Sequence, residues 1–175
     1  MAEVKKRVSE DRAVWERLLS FFPGYRGYKD REILRETDKI VREGIFIRLK
    51  ELQEKVRGLY RDYLLKYGLT DEARLLERLL MRLDTYSQRV RHSEYGYTPI
   101  GYAVKVNEEK IDKLIEYDYS LSNIIEGLSK SIENLISTFY STGKLDIVAI
   151  SNVENILNSL GESIDKRREV ILGMG

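Results

Sequence analysis

Aspartates and arginines stand in this chain where a helical sequence should carry apolar side chains. Ile45, Leu49, Leu52, Val56, Leu59 and Tyr63 alternate steps of four and three, and extending that line backward puts Arg42, Asp38 and Arg35 on it. Asp118 interrupts a second such line, Ile111, Leu114, Leu121, Ile125, Leu128, Ile132, Leu135 and Phe139. Counting levels from the expected helix ends adds Asp84, so Arg35, Asp38, Arg42, Asp84 and Asp118 are expected to form one interhelical ionic layer. Carboxylates that project inward from several helices are the donors of dimetal helical bundles. Those sites also need Glu-x-x-His pairs on two helices, and this chain has a single histidine, His92. A hard cation on Asp38, Asp84 and Asp118 is the metal chemistry left over, and an anion site on the arginines is the other ligand chemistry. The interleaved arginines favour mutual neutralisation, which sets helix register more than it adds stability. No metal, cofactor or catalytic residue is assigned.

The second chemistry-bearing pattern is a set of four Gly-Tyr dipeptides, Gly24-Tyr25, Gly27-Tyr28, Gly96-Tyr97 and Gly101-Tyr102. With the flanking basic residues they make a candidate ligand surface of Tyr25, Arg26, Tyr28, Lys29, Arg31, Arg91, His92, Tyr97 and Tyr102. Flat rings among cations suit the stacking of bases and the pairing of phosphates, so nucleic acid or an anionic ligand is the partner this surface would take. The plainer expectation is that the tyrosines plug one end of a helical assembly with their hydroxyls outward. His92 has no Ser, Cys or Asp at a spacing that suggests a triad and reads as a structural hydrogen-bonder.

The elements that position these residues are helices. Pro23 and Pro99 are the two prolines, and both fall in the Gly-Tyr stretches. Apolar spacing predicts helices over 3–22 (Val4, Val8, Trp15, Leu18, Leu19, Phe22), 29–66, 71–93 (Leu69, Ala73, Leu76, Leu80, Leu83, Val90), 108–141 and 145–171 (Ala149, Val153, Ile156, Leu160, Ile164, Ile171). Gly68 and Thr142-Gly143 stop two of them, and Thr70-Asp71-Glu72 and Asn107-Glu108-Glu109 start two others. Ser151-x-x-Glu154 is a capping-box pattern that competes for the start of the last helix. Gly44 and Gly58, inside the second helix, mark kinks or close approaches of another helix. Short connections make the second and third helices neighbours, and the expected fold is all-α: an antiparallel four-helix bundle with long helices plus an N-terminal amphipathic helix, in one domain over 1–175.

Thirty basic and 29 acidic side chains leave a net charge of +1, so no global field draws the chain to nucleic acid or anionic lipid. Cysteine is absent, which excludes disulfides, thiolate zinc sites and thiol catalysis. The N-terminal run is broken by acids and reads as neither signal peptide nor membrane span. A cytoplasmic location is expected, and richness in Lys, Arg, Glu, Ile and Tyr resembles the composition of heat-adapted proteins. The expected helix over 3–22 places Lys5, Lys6 and Arg7 beside Trp15 and Phe22, but Glu10, Asp11 and Glu16 weaken any membrane-surface role.

The stretches "FFPGYRGYKDREILRETDKIVRE" and "RVRHSEYGYTPIGYAVKVNEEKIDKLIEYDYSL" resemble a prokaryotic all-helical family with a Pro-Gly-Tyr-x-Gly-Tyr-Lys corner and a second Tyr-Gly-Tyr corner. The resemblance spans roughly residues 22 to 121. That family has no assigned activity, so the resemblance implies only that both corners and the run from Arg35 to Lys39 belong to one design. The expected function is non-enzymatic: an interaction or scaffold protein that meets a protein partner or its own copies through heptad surfaces. Nucleic-acid or anionic-ligand binding at the Gly-Tyr end and a carboxylate-layer metal protein are the alternatives.

Overall fold

The computed structural model describes the backbone of residues 2–27, 31–92 and 108–172, with side chains over 12–27, 36–92 and 111–171. Among the described residues the protein is all-α. Its five helices are α1 (Ala2–Phe21), α2 (Arg31–Tyr67), α3 (Asp71–His92), α4 (Glu108–Thr142) and α5 (Ile147–Leu172).

Local chemistry sets the helix ends. The Thr70 hydroxyl accepts the Ala73 N–H at 3.3 Å and opens α3. Asp146 Oδ1 accepts the N–H groups of Val148 and Ala149 at 2.9 and 3.0 Å, so α5 is capped there, and Ser151 lies exposed inside the helix. Asp146 stands three residues after Gly143, immediately before the first residue of α5. Gly68 and Gly143 donate to the carbonyls of Leu64 and Phe139 and close α2 and α4.

The two long seams are consumed within the chain. Ile45, Leu49, Leu52, Val56, Leu59 and Tyr63 of α2 are buried, as are Leu114, Leu121, Ile125, Leu128, Ile132, Leu135 and Phe139 of α4. They meet Leu76, Leu79 and Leu83 of α3 and Ile150, Val153, Leu157, Leu160 and Ile164 of α5 in one core. Leu69 is exposed, because it precedes the cap of α3 and lies in the turn.

Helix α1 packs on α4, α2 on α3 and α4, and α5 on α3 and α4. Charged and polar pairs tie the elements at regular separations. Lys55 meets Glu133 at 2.7 Å and Tyr140 meets Asp62 at 2.6 Å between α2 and α4. Arg78 meets Glu154 at 2.9 Å, and Arg82 with Asn158 and Arg89 with Asp165 continue that series between α3 and α5.

Leu18 and Phe22, at the end of α1, are fully buried. Each such burial is worth about 1.5–3 kcal/mol. Phe22 lies against bare backbone at Gly44, where an added Cβ would stand 2.7 Å from the ring. Gly44 is therefore the close approach that its place inside a helix suggested. Gly58 has nothing within 4 Å of where its Cβ would be.

Candidate functional site: a buried arginine between two aspartates

The buried residues of α5 step by three and four through Ile150, Val153, Leu157, Leu160, Ile164 and Ile171. The position this spacing requires between the last two is 167, and it holds an arginine. Arg167 is the largest fully enclosed side chain, at 2% exposure. Its Nη1 donates to Asp38 Oδ1 of α2 at 2.5 Å and its Nε to Asp118 Oδ1 of α4 at 2.6 Å. Both aspartates are at 0% exposure. Their second oxygens are also engaged. Arg42 Nε donates to Asp38 Oδ2 at 3.0 Å, and the Tyr25 hydroxyl donates to Asp118 Oδ2 at 2.9 Å.

Among the described residues, two carboxylates and two guanidinium groups sum to zero, which is the condition for holding such a layer away from water. The rigid fork of an arginine can serve two acids from one position, whereas a lysine offers a single point charge. Among the described residues no buried side-chain nitrogen or oxygen lacks a hydrogen-bond partner. The position a cation would take between Asp38 and Asp118 is filled by the Arg167 guanidinium.

The N-terminal corner closes the layer. Its Tyr25 is 3% exposed, with the hydroxyl turned inward to Asp118, whereas an outward hydroxyl was the expectation. The buried acid gives that hydroxyl a stronger acceptor than water. Trp15 stands edge-on to Tyr25 with ring centroids 5.7 Å apart, and it also covers Gly27, where a Cβ would fall 2.7 Å from the indole. Gly27 has φ 74°, and its carbonyl accepts the buried Thr37 hydroxyl at 2.7 Å. On the other side of α1, Arg17 donates to Ser122 at 3.1 Å and pairs with Glu126. Hydrogen bonds and charge from Lys130 and Arg17 hold the Glu126 carboxyl at about 2, below its ordinary 4.5.

Of the layer expected from sequence, Asp38, Arg42 and Asp118 come together, and Arg35 has its side chain outside the described residues. Asp84 lies elsewhere. It accepts from Lys50 at 2.7 Å and is half exposed, and the Lys50 hydrogen bond lowers its pKa. Level-counting from flush helix ends misplaces it, because α2 outruns α3. Arg42 already reaches the carbonyl of Arg91, one residue from the end of α3, at 3.4 Å. Lys50 is twelve residues beyond Asp38, about 18 Å along a helix.

The candidate ligand surface is dispersed over what is described. Tyr25 is in the core, Arg26 is exposed and pairs with Glu36 at 3.4 Å, and His92 is exposed. Arg91 lies over the Phe46 ring at 5.1 Å. Tyr28, Lys29, Tyr97 and Tyr102 lie outside the described residues, as does the side chain of Arg31.

A different surface stands at the turns that join α2 to α3 and α4 to α5. These turns touch, since the Tyr67 hydroxyl donates to the Gly143 carbonyl and the Tyr63, Tyr67 and Phe139 rings pack together. Around them Leu65, Leu69 and Val148 are 82%, 69% and 70% exposed, with Tyr140 and Ile147 more than half exposed. Leu69 is one of the spaced apolar positions of the sequence, whereas Leu65, Tyr140, Ile147 and Val148 lie on no apolar seam.

No family model, curated protein or solved structure matches the chain. Among the described residues, no helix is long and apolar enough to cross a membrane, and no group of three or more acidic or histidine side chains is placed to hold a metal ion.

Proposed function

We propose that this chain is a non-catalytic helical interaction protein whose α2–α5 form an antiparallel four-helix bundle strapped by α1, and that it associates with a second copy of itself. The reading is supported by the short turns at 68–70 and 143–146, which set α2 against α3 and α4 against α5 as antiparallel neighbours, and the equal residue separations of the cross-helix pairs fit α2 running parallel to α4 and α3 to α5. Because the α2 and α4 seams are spent in the core, self-association through heptads gives way to association through the turn end.

The observation that carries the reading is the group of exposed apolar side chains at that end, Leu65, Leu69, Ile147 and Val148. The occupant is inferred from the rim. A two-fold interface meets itself, so it needs both charge signs on one patch. Arg74 and Asp71 of α3 and the exposed Lys144 and Asp146 of the second turn supply them. A membrane or a polyanion would call for cations alone. The kinship with a prokaryotic helical family belongs to the same proposal, and so does the corner at Gly24-Tyr25, as the device that covers the opposite end.

Sedimentation over a concentration series is the test. The expected result is a reversible dimer that Leu65→Asp with Val148→Asp converts to monomer at unchanged helicity. A wild-type chain that stays monomeric at every concentration refutes it. The alternative of an anionic ligand draws on Arg91 stacked over Phe46, and it requires oligonucleotide binding that weakens with salt and is lost in Arg91→Ala.

A further inference from the structure

The side of α2 that faces away from the core carries a line of its own. Ile47, Glu51, Glu54, Gly58, Arg61 and Leu65 alternate steps of four and three, two residues out of phase with the buried seam that begins at Ile45. Two residues turn a helix by about 200°, so this second line runs along the opposite side. All of it is exposed except Gly58, which is half-buried. Ile47 and Leu65, 49% and 82% exposed, end the line about 27 Å apart, and five full turns between them leave both on one azimuth.

The line is arranged about a centre. Outward from the level of residue 56, Glu54 and Gly58 stand two residues to either side, Glu51 and Arg61 five, and Ile47 and Leu65 nine. Each acid has a base or a bare glycine at its mirror position, and the apolar residue at one end has an apolar one at the other. No contact among the described residues accounts for Gly58. Its φ is not positive, nothing stands within 4 Å of where its Cβ would be, and alanine is the better residue inside a helix. Gly127 of α4 is equally open, but its exposed line, Asn123, Lys130, Asn134 and Ser137, has neither apolar ends nor charges of both signs.

We infer that a second copy of the chain lies on this line, with its α2 antiparallel to the first and crossing it at the level of residue 56. The inference rests on the reading that two copies associate, and it gives them a face that shares only Leu65 with the turn end. A two-fold axis at that level sets every position against its mirror position in the other copy. Glu51 of each copy meets Arg61 of the other, Ile47 meets Leu65, and Glu54 lies on the bare backbone at Gly58 with Arg57 and Arg61 beside it. Glycine lets the helices approach closely where they cross. Parallel copies would set acid on acid and base on base, so charge selects the antiparallel arrangement. Within one copy these side chains are held lightly. Arg48 meets Glu51 at 3.1 Å, Arg61 meets Asp62 at 3.3 Å and Arg57 pairs with Glu54, all between near neighbours on one helix. Such surface pairs contribute little and exchange partners readily. Leu65 can be covered only once, so the α2 face and the turn end compete, and the assembly stays a pair.

Sedimentation of full chains over a concentration series separates the two faces. Ile147→Asp with Val148→Asp charges the turn end and leaves the α2 line whole, and this chain is expected still to dimerise. On that background Glu51→Arg with Glu54→Arg should raise the dissociation constant about tenfold or more, and so should Arg57→Glu with Arg61→Glu, because the two-fold axis counts each reversal twice. Helicity should not change, since every altered side chain is exposed. An equimolar mixture of the two reversed chains is expected to pair. All four reversals in one chain should restore self-association, which parallel copies would not do. A turn-end-charged chain that is monomeric at every concentration overturns the α2 face, and a wild-type dimer would then leave the turn-end reading standing. Dimerisation indifferent to the charge reversals overturns the α2 face as well. Dimers that survive charging of the turn end and are lost on reversal support the α2 face and refute the turn end. A monomeric wild-type chain refutes both and leaves the line to solvent or to the helix of another protein.

Discussion

Arg167 Nε donates to Asp118 Oδ1 across 2.6 Å, although 49 positions of chain separate the two residues and water reaches neither side chain. An ion pair in that setting is a poor source of net stability, because dehydration of both groups offsets most of their attraction. Its two kinds of disruption therefore differ sharply. Arg167→Met takes a guanidinium from two buried carboxylates and should cost about 3–5 kcal/mol in urea unfolding. Replacing Asp38 and Asp118 by leucine in the same chain should recover most of that loss. A single variant within about 1 kcal/mol of wild type would show that the layer admits water.

Two glycines of α2 should respond to alanine with opposite signs. At Gly44 the new methyl meets Phe22 at 2.7 Å, an overpacking expected to cost about 1–3 kcal/mol. At Gly58 nothing stands within 4 Å, so alanine should stabilise the helix by about 0.5–1 kcal/mol. Thermal unfolding of the pair is the measurement, and equal shifts would contradict the seating of Phe22.

Acid should loosen α1 before it unfolds the rest. The folded chain holds Glu126 at about 2 against an ordinary 4.5, through Lys130 and Arg17. A carboxyl whose folded pKa lies below its unfolded one contributes stability that is complete above the unfolded value and drains away as pH falls toward the folded one. The window is thus about 4.5 down to about 2. Trp15 emission should shift across it, and Glu126→Gln should remove that part of the titration. Salt should shrink the same shift, since the pair faces solvent.

The start of α5 can be located by two substitutions. Asp146→Ala removes the acceptor for two N–H groups and should cost about 1 kcal/mol. Ser151→Ala touches an exposed helical position and should fall within about 0.5 kcal/mol of wild type. The reverse ranking, in chemical denaturation, would return the cap to Ser151.

The seams of α2 and α4 are legible in sequence because a buried stripe on a long helix repeats often enough to be unmistakable. Asp38 and Asp118 stand out for the same reason, as polar interruptions of an apolar line. Arg167 obeys that rule too. It passes unseen because the apolar line steps from Ile164 straight to Ile171, and an arginine at the skipped position, amid Lys166, Arg168 and Glu169, reads as ordinary surface charge. Asp84 fails for a different reason, since spacing reports a helix face and not how far one helix overhangs another. The inward hydroxyl of Tyr25 depends on an acceptor 93 positions away, which no local pattern encodes.

The cross-helix pairs have a last consequence, for changes in chain length. Partners on α2 and α4 stand 78 positions apart, and those on α3 and α5 stand 76 apart. A residue inserted within α3 would turn everything after it by about 100° and leave Arg78, Arg82 and Arg89 unable to face α5 together. One inserted into a connection between helices changes the count but rotates nothing. Length variation in proteins of this design should therefore gather between the helices and spare the rungs.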